Sequence, residues 1–337
     1  MRDVARIAGV SVSAVSLVVN GKPGVSDDIR EHVWSVISEL GYKTNTNGDS
    51  KTSEAVGIVI EQSSMPVILD AFYGEIIRGF QTEAQRLGYQ IVLFTFDRTA
   101  QSLDTLLSTL VSKVKGLVIA NDGDITVEMI AQLEASHVPL VLIENHIPNH
   151  RIPSVLGDNF MAGYTVMQHV LELGHKNIAV LRGPTKYSSL VDRLRGILAA
   201  AGEAGMVIPP ELMPQPVSGH PHKGYIQMRE VLELPDRPSA VVAISDKTAL
   251  GAMEAIKESG LRIPEDVSIV SIDDIAESAY TRPPLTTIRI PKYEMGAIAL
   301  NKLHHLIQGD SEIPVQSVLY CELIVRDSCA DLRSRSS

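Results

Sequence analysis

Carboxylates are the side chains of this 337-residue chain that could most readily do chemistry. Asp158 and Asp273 could act as an acid and a base on a glycoside. Nothing else in the sequence indicates catalysis, because it contains no nucleophile elbow, phosphate-binding loop or metal-binding cluster. His220 and His222 lack a neighbouring Cys or carboxylate, which is typical of a loop rather than of a metal site. We therefore expect neither enzyme activity nor a cofactor.

The elements that must position these carboxylates follow from an alternation of apolar runs and amphipathic segments after residue 54. This alternation predicts an α/β fold with doubly wound parallel sheets, in which ligands bind at the carboxyl ends of the strands. Polar residues follow several of the runs, so two facing sheets would enclose a polar cleft. The strand predictions are Ala55–Ile60, Ile91–Thr95, Gly116–Ala120, Leu140–Glu144, Ile178–Arg182, Ala240–Ser245 and Val267–Ile272; the helix predictions include Gly74–Leu87 and Ala162–Leu173; the polar ends are Asn121-Asp122, Glu144-Asn145, Ser245-Asp246 and Asp273-Asp274.

The first 45 residues differ from the remainder, since they contain short helical patterns and no strand pattern. Gly9 and Val10 supply a turn, Ser11 can cap a second helix, and a third helix begins at Ser26. Two short helices joined by a tight turn and supported by a third predict an all-α helix-turn-helix. A generic three-helix bundle is the alternative. The predicted core faces are Val4, Ile7 and Ala8; Val15, Val18 and Val19; and Ile29, Val33, Ile37 and Leu40.

The overall composition excludes several protein classes. Hydrophobic residues make up 45% and charged residues 21% of the chain, which excludes a disordered or collagen-like protein. Cys321 and Cys329 are too few for a disulfide framework, and no apolar run reaches the roughly 18 residues of a membrane span. The first residues lack the apolar segment of a signal peptide, so we expect a cytoplasmic protein.

The net charge of −10 argues at first against nucleic-acid binding. The charge is unevenly distributed, because residues 1–26 carry three basic side chains and one acidic side chain. Acidic residues at the start of the third helix make residues 1–45 neutral as a whole. The excess of acid therefore belongs to the remainder of the chain, and it does not exclude DNA as a partner of the first 45 residues.

Several ordered motifs resemble the lactose-repressor/galactose-repressor family of transcription regulators. The resemblance begins in the first helices and continues to the last third of the chain, and it implies a dimeric DNA-binding repressor with a core like that of periplasmic sugar-binding proteins. The motifs are Asp3-Val4-Ala5-Arg6-Ile7-Ala8-Gly9-Val10-Ser11, Val15-Ser16, Val25-Ser26, Leu40-Gly41-Tyr42, Leu173-Gly174-His175-Lys176-Asn177-Ile178-Ala179, Ile263-Pro264-Glu265-Asp266-Val267-Ser268-Ile269-Val270 and Pro283-Pro284-Leu285-Thr286-Thr287-Ile288.

The resemblance also implies how the chain is divided. Residues 1–45 would form the helix-turn-helix head, and residues 46–54 a polar linker in place of the family's hinge helix. Residues 55–332 would form an effector-binding core of two subdomains, between which the chain crosses near 158 and 288. The segment 43–54 contains no Leu, Pro or Ala, so a hinge helix that wedges open the minor groove is not expected here.

The resemblance places one side of the second helix against a palindromic DNA operator. The family usually has Thr at the position of Ala14 and Arg at the position of Leu17. Loss of that Arg removes a bidentate contact to a base, which is worth about 1–3 kcal/mol of discrimination. We therefore expect weaker or more AT-tolerant operator recognition than is usual in the family. The residues implied to contact DNA are Ser11, Val12, Ser13, Ser16, Leu17 and Asn20.

The resemblance implies an effector site between the two subdomains. Carboxylates would accept hydrogen bonds from the hydroxyl groups of a polyol, and an Arg would donate from its planar fork. Asp158 and Asp246 have an alternative role as helix caps. Gly219 replaces an aromatic residue that often stacks on the effector, so Phe72 and Tyr73 supply the predicted stacking. The residues implied to contact effector are Phe72, Tyr73, Asp158, Arg193, Ser245 and Asp273.

Together these patterns predict a repressor of the family type, controlled by a small molecule such as a sugar or a related metabolite. The alternative is a ligand-binding sensor whose head has lost DNA recognition, which the replacements at Ala14 and Leu17 would explain. We expect a homodimer, with double-stranded DNA and a small-molecule effector as partners and no membrane. Whether the effector releases or recruits DNA does not follow from the sequence.

Overall fold

The structure is a computed structural model that describes residues 2–19, 24–39, 55–61, 68, 70–96, 108–120, 127–147, 149–216, 223–310 and 313–333. The linker at 43–54 and the predicted contact residue Asn20 lie outside these residues, as do Gly219, His220 and His222. The chain divides into two compact units, Met1–Glu54 and Ala55–Ser337. Within the described residues, no helix is long and apolar enough to span a bilayer.

The described residues of the first unit form three helices, as the sequence predicts. The turn between the first two passes through Gly9 at φ +62°, in the left-handed region that glycine enters readily. Ser11 caps the second helix, because its Oγ accepts a hydrogen bond of 3.1 Å from the backbone N–H of Ala14. The helices are α1 (Arg2–Ile7), α2 (Val12–Val19) and α3 (Asp27–Glu39).

The small core of this unit corrects the predicted helix faces at four positions. Ala5 is buried while Ile7 is 48% exposed, so α1 turns a smaller side chain inward than predicted. In α3, Val36 is buried and Ile29 is 38% exposed. Val4, Ala5 and Ala8 share one side of α1, which turns Ile7 away from the core, and Ile29 lies in the first turn of α3, ahead of the buried Val33 and Val36. The buried residues are Val4, Ala5, Ala8, Val15, Val18, Val33 and Val36.

The second unit contains two sheets with helices packed against them. The strands are β1 (Ala55–Glu61), β2 (Gln90–Phe96), β3 (Leu117–Ala120), β4 (Leu140–Ile143), β5 (Ser154–Gly157), β6 (Ile178–Leu181), β7 (Ala240–Ala243), β8 (Ser268–Asp273), β9 (Thr286–Arg289), β10 (Gln316–Leu319) and β11 (Glu322–Ile324). One sheet has six parallel strands in the order β10-β5-β4-β3-β1-β2. The other has five strands in the order β11-β9-β8-β7-β6, of which only β11 is antiparallel to its neighbour.

We call the six-stranded sheet with its helices the first subdomain and the five-stranded sheet with its helices the second subdomain. The chain passes between them three times: at Asp158, at Ile290 and Pro291, and at Tyr320 and Cys321. The first subdomain contains α4 (Tyr73–Leu87), α5 (Val127–Ala135) and α10 (Lys292–Gln308); the second contains α6 (Asn159–Glu172), α7 (Ser188–Glu203), α8 (Lys223–Leu232) and α9 (Asp246–Glu258).

Two glycines let α6 and α7 cross in backbone contact. A Cβ atom on Gly163 would lie 1.9 Å from the carbonyl oxygen of Arg193, and one on Gly196 would lie 1.9 Å from that of Phe160. Any side chain at either position would push the helices apart. This close crossing fixes the position of Arg193 relative to the first residues of α6.

Gly196→Ala should destabilise the protein by about 3 kcal/mol, because the added methyl group meets backbone that cannot rotate away. Gly202→Ala on the same helix is the matched control, since its Cβ would meet no atom within 4 Å. We expect that control to gain stability, because alanine favours helix by about 1 kcal/mol. Urea unfolding measures both, and equal stability of the two variants would contradict the tight crossing.

Candidate functional site

The guanidinium of Arg193 lies at the centre of a buried polar network between the subdomains. The residue is only 2% exposed, so each of its contacts forms in a poorly solvated environment. Nε donates to Oδ1 of Asn159 at 2.8 Å, and Nη1 donates to the carbonyl oxygen of Ile244 at 3.0 Å. Nη1 also forms an ion pair of 2.8 Å with Oδ1 of Asp273. Nη2 has no partner among the described residues, so the guanidinium can donate a further hydrogen bond to a ligand.

Asp273 ends β8 with its side chain inside the same network. Its backbone has φ +135°, which is uncommon for a residue with a side chain, and Lys292 donates to its carbonyl oxygen. The pKa of Asp273 is raised to about 6, because burial and the nearby charge of Asp246 outweigh the opposing charges of Arg193 and Lys292. Oδ1 faces Arg193 outside hydrogen-bond geometry and has no hydrogen bond among the described atoms. Its one described contact is the ion pair with Nη1 of Arg193, so it can accept a further hydrogen bond.

Glu144 ties Arg193 to the first subdomain. It follows β4 with φ +54° and is 5% exposed. One oxygen accepts from the backbone N–H of Gly157 at 2.7 Å, and the other accepts from Nδ2 of Asn159 at 3.0 Å. Asn159 then accepts from Arg193, so the network runs from one subdomain to the other. The strand pattern predicts Glu144 only as a polar strand end, with no role in the site.

Asp246 is a fully buried carboxylate that holds the turn after β8. Oδ1 accepts from the hydroxyls of Ser271 and Thr287, the latter at 2.6 Å. Oδ2 accepts from the backbone N–H of Ile275 at 2.9 Å and from Ser278 at 2.6 Å. Asp246 therefore joins α9 to both sides of the Asp273-Asp274 turn, rather than serving as the helix cap that the sequence allowed.

Ser245 and Asp158, both predicted to contact effector, are helix caps in the structure. Ser245 precedes α9, and its Oγ accepts from the N–H of Thr248 at 3.3 Å. Asp158 precedes α6, and its Oδ1 accepts from the N–H of Met161 at 3.0 Å. The caps use the hydroxyl oxygen of Ser245 and one carboxylate oxygen of Asp158. An effector contact at either position stays a prediction.

Phe72 and Tyr73 stand at the start of α4 in an edge-to-face pair, with ring centroids 5.4 Å apart. The Nζ of Lys292 lies 5.8 Å from the centre of the Phe72 ring and also donates to the carbonyl oxygen of Asp273. Lys292 thus brings the aromatic pair of the first subdomain close to the acidic turn of the second.

Two cavities border the network, and neither coincides with it. A cavity of about 170 Å³ is lined by Glu144, Asp158 and Asn159, among others. A larger cavity of about 810 Å³ is lined mainly by α4 and the first turn of α10, and it includes Lys292. Neither contains Arg193 or Asp273, so the buried charges, rather than cavity size, mark the candidate site.

The first unit presents the residues predicted to contact DNA at the start of α2. Ser11, Val12 and Ser13 are exposed, and Val12 is 46% exposed despite its apolar side chain. Ser16 and Leu17 are partly exposed. Apart from Asn20, the predicted contact residues are thus on the surface or at its edge, and their contact with DNA stays a prediction.

Two families of known proteins match the chain. Residues 1–45 match bacterial regulatory proteins of the lacI family, and residues 167–329 match a periplasmic binding protein-like domain. The ribose operon repressor of Haemophilus influenzae is 32% identical to the chain over 339 residues, and the alignment covers 99% of both proteins. The chain belongs to the lacI family of transcriptional regulators.

Solved structures of lacI-family regulators share the fold. The transcriptional regulator CelR in complex with cellobiose superposes with a TM-score of 0.75 at 31% identity, covering 96% of this chain and 98% of that one. The lac repressor dimer, bound to operator and an anti-inducer, gives 0.74 at 28% identity, covering 97% and 98%. The predicted fold class, a helix-turn-helix head with a periplasmic-binding-protein-like core, is confirmed. The relatives are regulators rather than enzymes.

Proposed function

We propose that this lacI-family regulator is a cytoplasmic, homodimeric repressor whose affinity for a palindromic operator is controlled by a sugar or a related metabolite. The observation that carries the proposal is the Arg193–Asp273 pair, buried between the subdomains. The pair can form further hydrogen bonds, since Oδ1 of Asp273 is contacted by Nη1 of Arg193 alone and Nη2 of Arg193 has no partner among the described residues. A polyol hydroxyl both donates and accepts, so one ligand satisfies both groups.

The chemistry of the site favours a neutral polyol over a strongly charged ligand. Arg193 already forms an ion pair with Asp273, so an anionic ligand would have to compete with a buried carboxylate for it. A neutral hydroxylated ligand leaves the ion pair in place and adds hydrogen bonds. The relatives support this class, since one is named as the ribose operon repressor and another was solved with cellobiose.

Operator binding tests the proposal. Full-length protein should bind DNA that flanks its own gene more tightly than a scrambled duplex in a fluorescence anisotropy titration. The affinity should fall steeply with salt, since phosphate contacts release counterions. Equal binding to both duplexes would instead favour a ligand-binding sensor with a degenerate head, for which Ala14 and Leu17 are the motivation.

Leu17→Arg should increase both the affinity and the sequence specificity of operator binding. A guanidinium at this position can contact a guanine edge through two hydrogen bonds, which is worth about 1–3 kcal/mol, or roughly 5- to 150-fold in affinity. His32→Arg, on the exposed surface of α3, is the control for added charge alone. Equal gains for both variants on operator and scrambled DNA would contradict base readout at position 17.

Effector affinity should fall as the pH drops below about 6. Hydroxyl groups of the effector donate to ionised Asp273, whose pKa is raised to about 6, so a proton there competes with the ligand. At pH 5 about one tenth of the carboxylates are ionised, which predicts about ten-fold weaker binding than on the plateau above pH 7. Calorimetric titration across this range measures the effect. Constant affinity from pH 5 to 7.5, or tighter binding in acid, would contradict the role of Asp273.

A further inference from the structure

Asp70 is a buried carboxylate that fixes the start of α4. It is 6% exposed, and its Oδ1 accepts from the backbone N–H groups of Phe72 at 2.9 Å and Tyr73 at 3.1 Å. These two bonds set where α4 begins and hence where the aromatic pair lies. Neither the family motifs nor the sequence pattern had marked Asp70.

The second oxygen of Asp70 is held from the other subdomain. Nζ of Lys247, in the first turn of α9, donates to Oδ2 at 2.7 Å. The Lys247 side chain is 56% exposed, against 4% for Asp70, and Lys247 has no other ion pair among the described residues. Lys247 can therefore be replaced without disturbing either core.

Two neighbouring residues in the first turn of α9, Asp246 and Lys247, contact the two subdomains that border the cleft. Asp246 holds the turn that carries Asp273 in the second subdomain, through Ser271 and Ile275. Lys247, the next residue, holds Asp70 and through it the aromatic pair of the first subdomain. We infer that the Lys247–Asp70 pair is a closure contact of the cleft and that Asp70 is the positioning residue for Phe72 and Tyr73. The inference deepens the proposed function, on which it rests, because it concerns the same cleft.

The contact is strong enough to bias closure and weak enough to be reversible. One partner is buried and the other is exposed, so the pair should exceed an ordinary surface ion pair and stay below a fully buried one. We expect its loss to shift the closed–open equilibrium about three- to ten-fold. Salt should weaken the pair, since Lys247 remains in contact with solvent.

Hydrogen–deuterium exchange on the effector-free, full-length protein tests the contact directly. In Lys247→Met, amides of the peptide 70–77 should exchange about three- to ten-fold faster, because Asp70 without its Lys247 partner holds the Phe72 and Tyr73 N–H groups less rigidly. A peptide from 188–203 in α7 should be unchanged. Lys257→Met, in the last turn of the same helix, should match the wild type. Equal exchange of peptide 70–77 in Lys247→Met and Lys257→Met would overturn the inference.

A double substitution separates the closure contact from a merely structural role of Asp70. Asp70→Asn keeps an oxygen for capping α4 and removes the charge that Lys247 meets. Adding Lys247→Met to Asp70→Asn should then produce no further acceleration, whereas fully additive effects would show that the residues act independently and would refute the pair. Operator binding by the same variants distinguishes this failure from failure of the proposed function, because a protein without the closure contact still binds operator.

Discussion

Arg193→Met should weaken effector binding at least about thirty-fold. The substitution leaves Asp273 buried without its guanidinium partner and removes the only described donors that point from α7 into the network. Truncating one member of a buried, hydrogen-bonded charge pair costs about 2–5 kcal/mol or more in binding, which corresponds to roughly 30- to 4,000-fold. Titration calorimetry with the sugar that most raises the melting temperature in a ligand screen measures the loss.

Arg195→Met is the matched control for this substitution. Arg195 lies on the same helix, its side chain is 70% exposed, and it pairs only with Asp192 at 3.0 Å. We expect it to bind effector as the wild type does. Arg193→Lys should fall between the two, because it restores the charge without the planar fork. Wild-type affinity in Arg193→Met would show that the effector binds elsewhere.

Asp246→Ala should be the most damaging single substitution for stability, at about 3–5 kcal/mol. Its four hydrogen bonds come from three segments, and the N–H of Ile275 would be left buried without an acceptor. Asp246→Asn should also be unstable, because its amide N–H groups would face donors. The turn that carries Asp273 depends on the same bonds, so effector affinity should fall as well.

Glu254→Ala is the control for Asp246→Ala, since Glu254 is an exposed acid on the same helix. Urea unfolding of the two variants should give a large loss at position 246 and little change at position 254. Similar stabilities would mean that the carboxylate at 246 contributes nothing beyond its volume.

Most strand positions could be predicted from the local runs of apolar residues. Six of the seven predicted runs are buried strands, for which an all-apolar sequence is typical, whereas β2 lies at a sheet edge and exposes Leu93 to 40%. The four strands that sequence analysis missed are short and mix polar with apolar residues. In β10, for example, Gln316 and Val318 are exposed, and the partner strand lies far away in the sequence. No local pattern distinguishes such an edge strand from a loop.

The candidate site was predicted only in part, for a related reason. The types of Arg193 and Asp273 and their family motifs marked them, and the structure places their charged atoms 2.8 Å apart. Glu144, Asp246 and Asp70 take their roles from residues brought near by folding; Asp70 lies 177 positions from Lys247. A carboxylate at the end of a strand looks the same in sequence whether it caps a helix, binds a ligand or connects two subdomains.

The route of the network supports the proposed coupling of effector to operator. Its members lie on both subdomains, so a ligand that adds hydrogen bonds between them stabilises one relative arrangement over others. If effector binding changes operator affinity by a given factor, operator binding changes effector affinity by the same factor.

The most direct test of this account is operator affinity measured with and without effector. Full-length protein is titrated against labelled DNA from beside its own gene, in the presence of each member of a panel of sugars, nucleosides and organic acids that includes ribose and cellobiose. The account predicts selective, salt-sensitive binding that one hydroxylated ligand changes about ten-fold or more, with no such change in Arg193→Met. Operator affinity that no ligand alters, or that the same ligand alters equally in Arg193→Met, would contradict it.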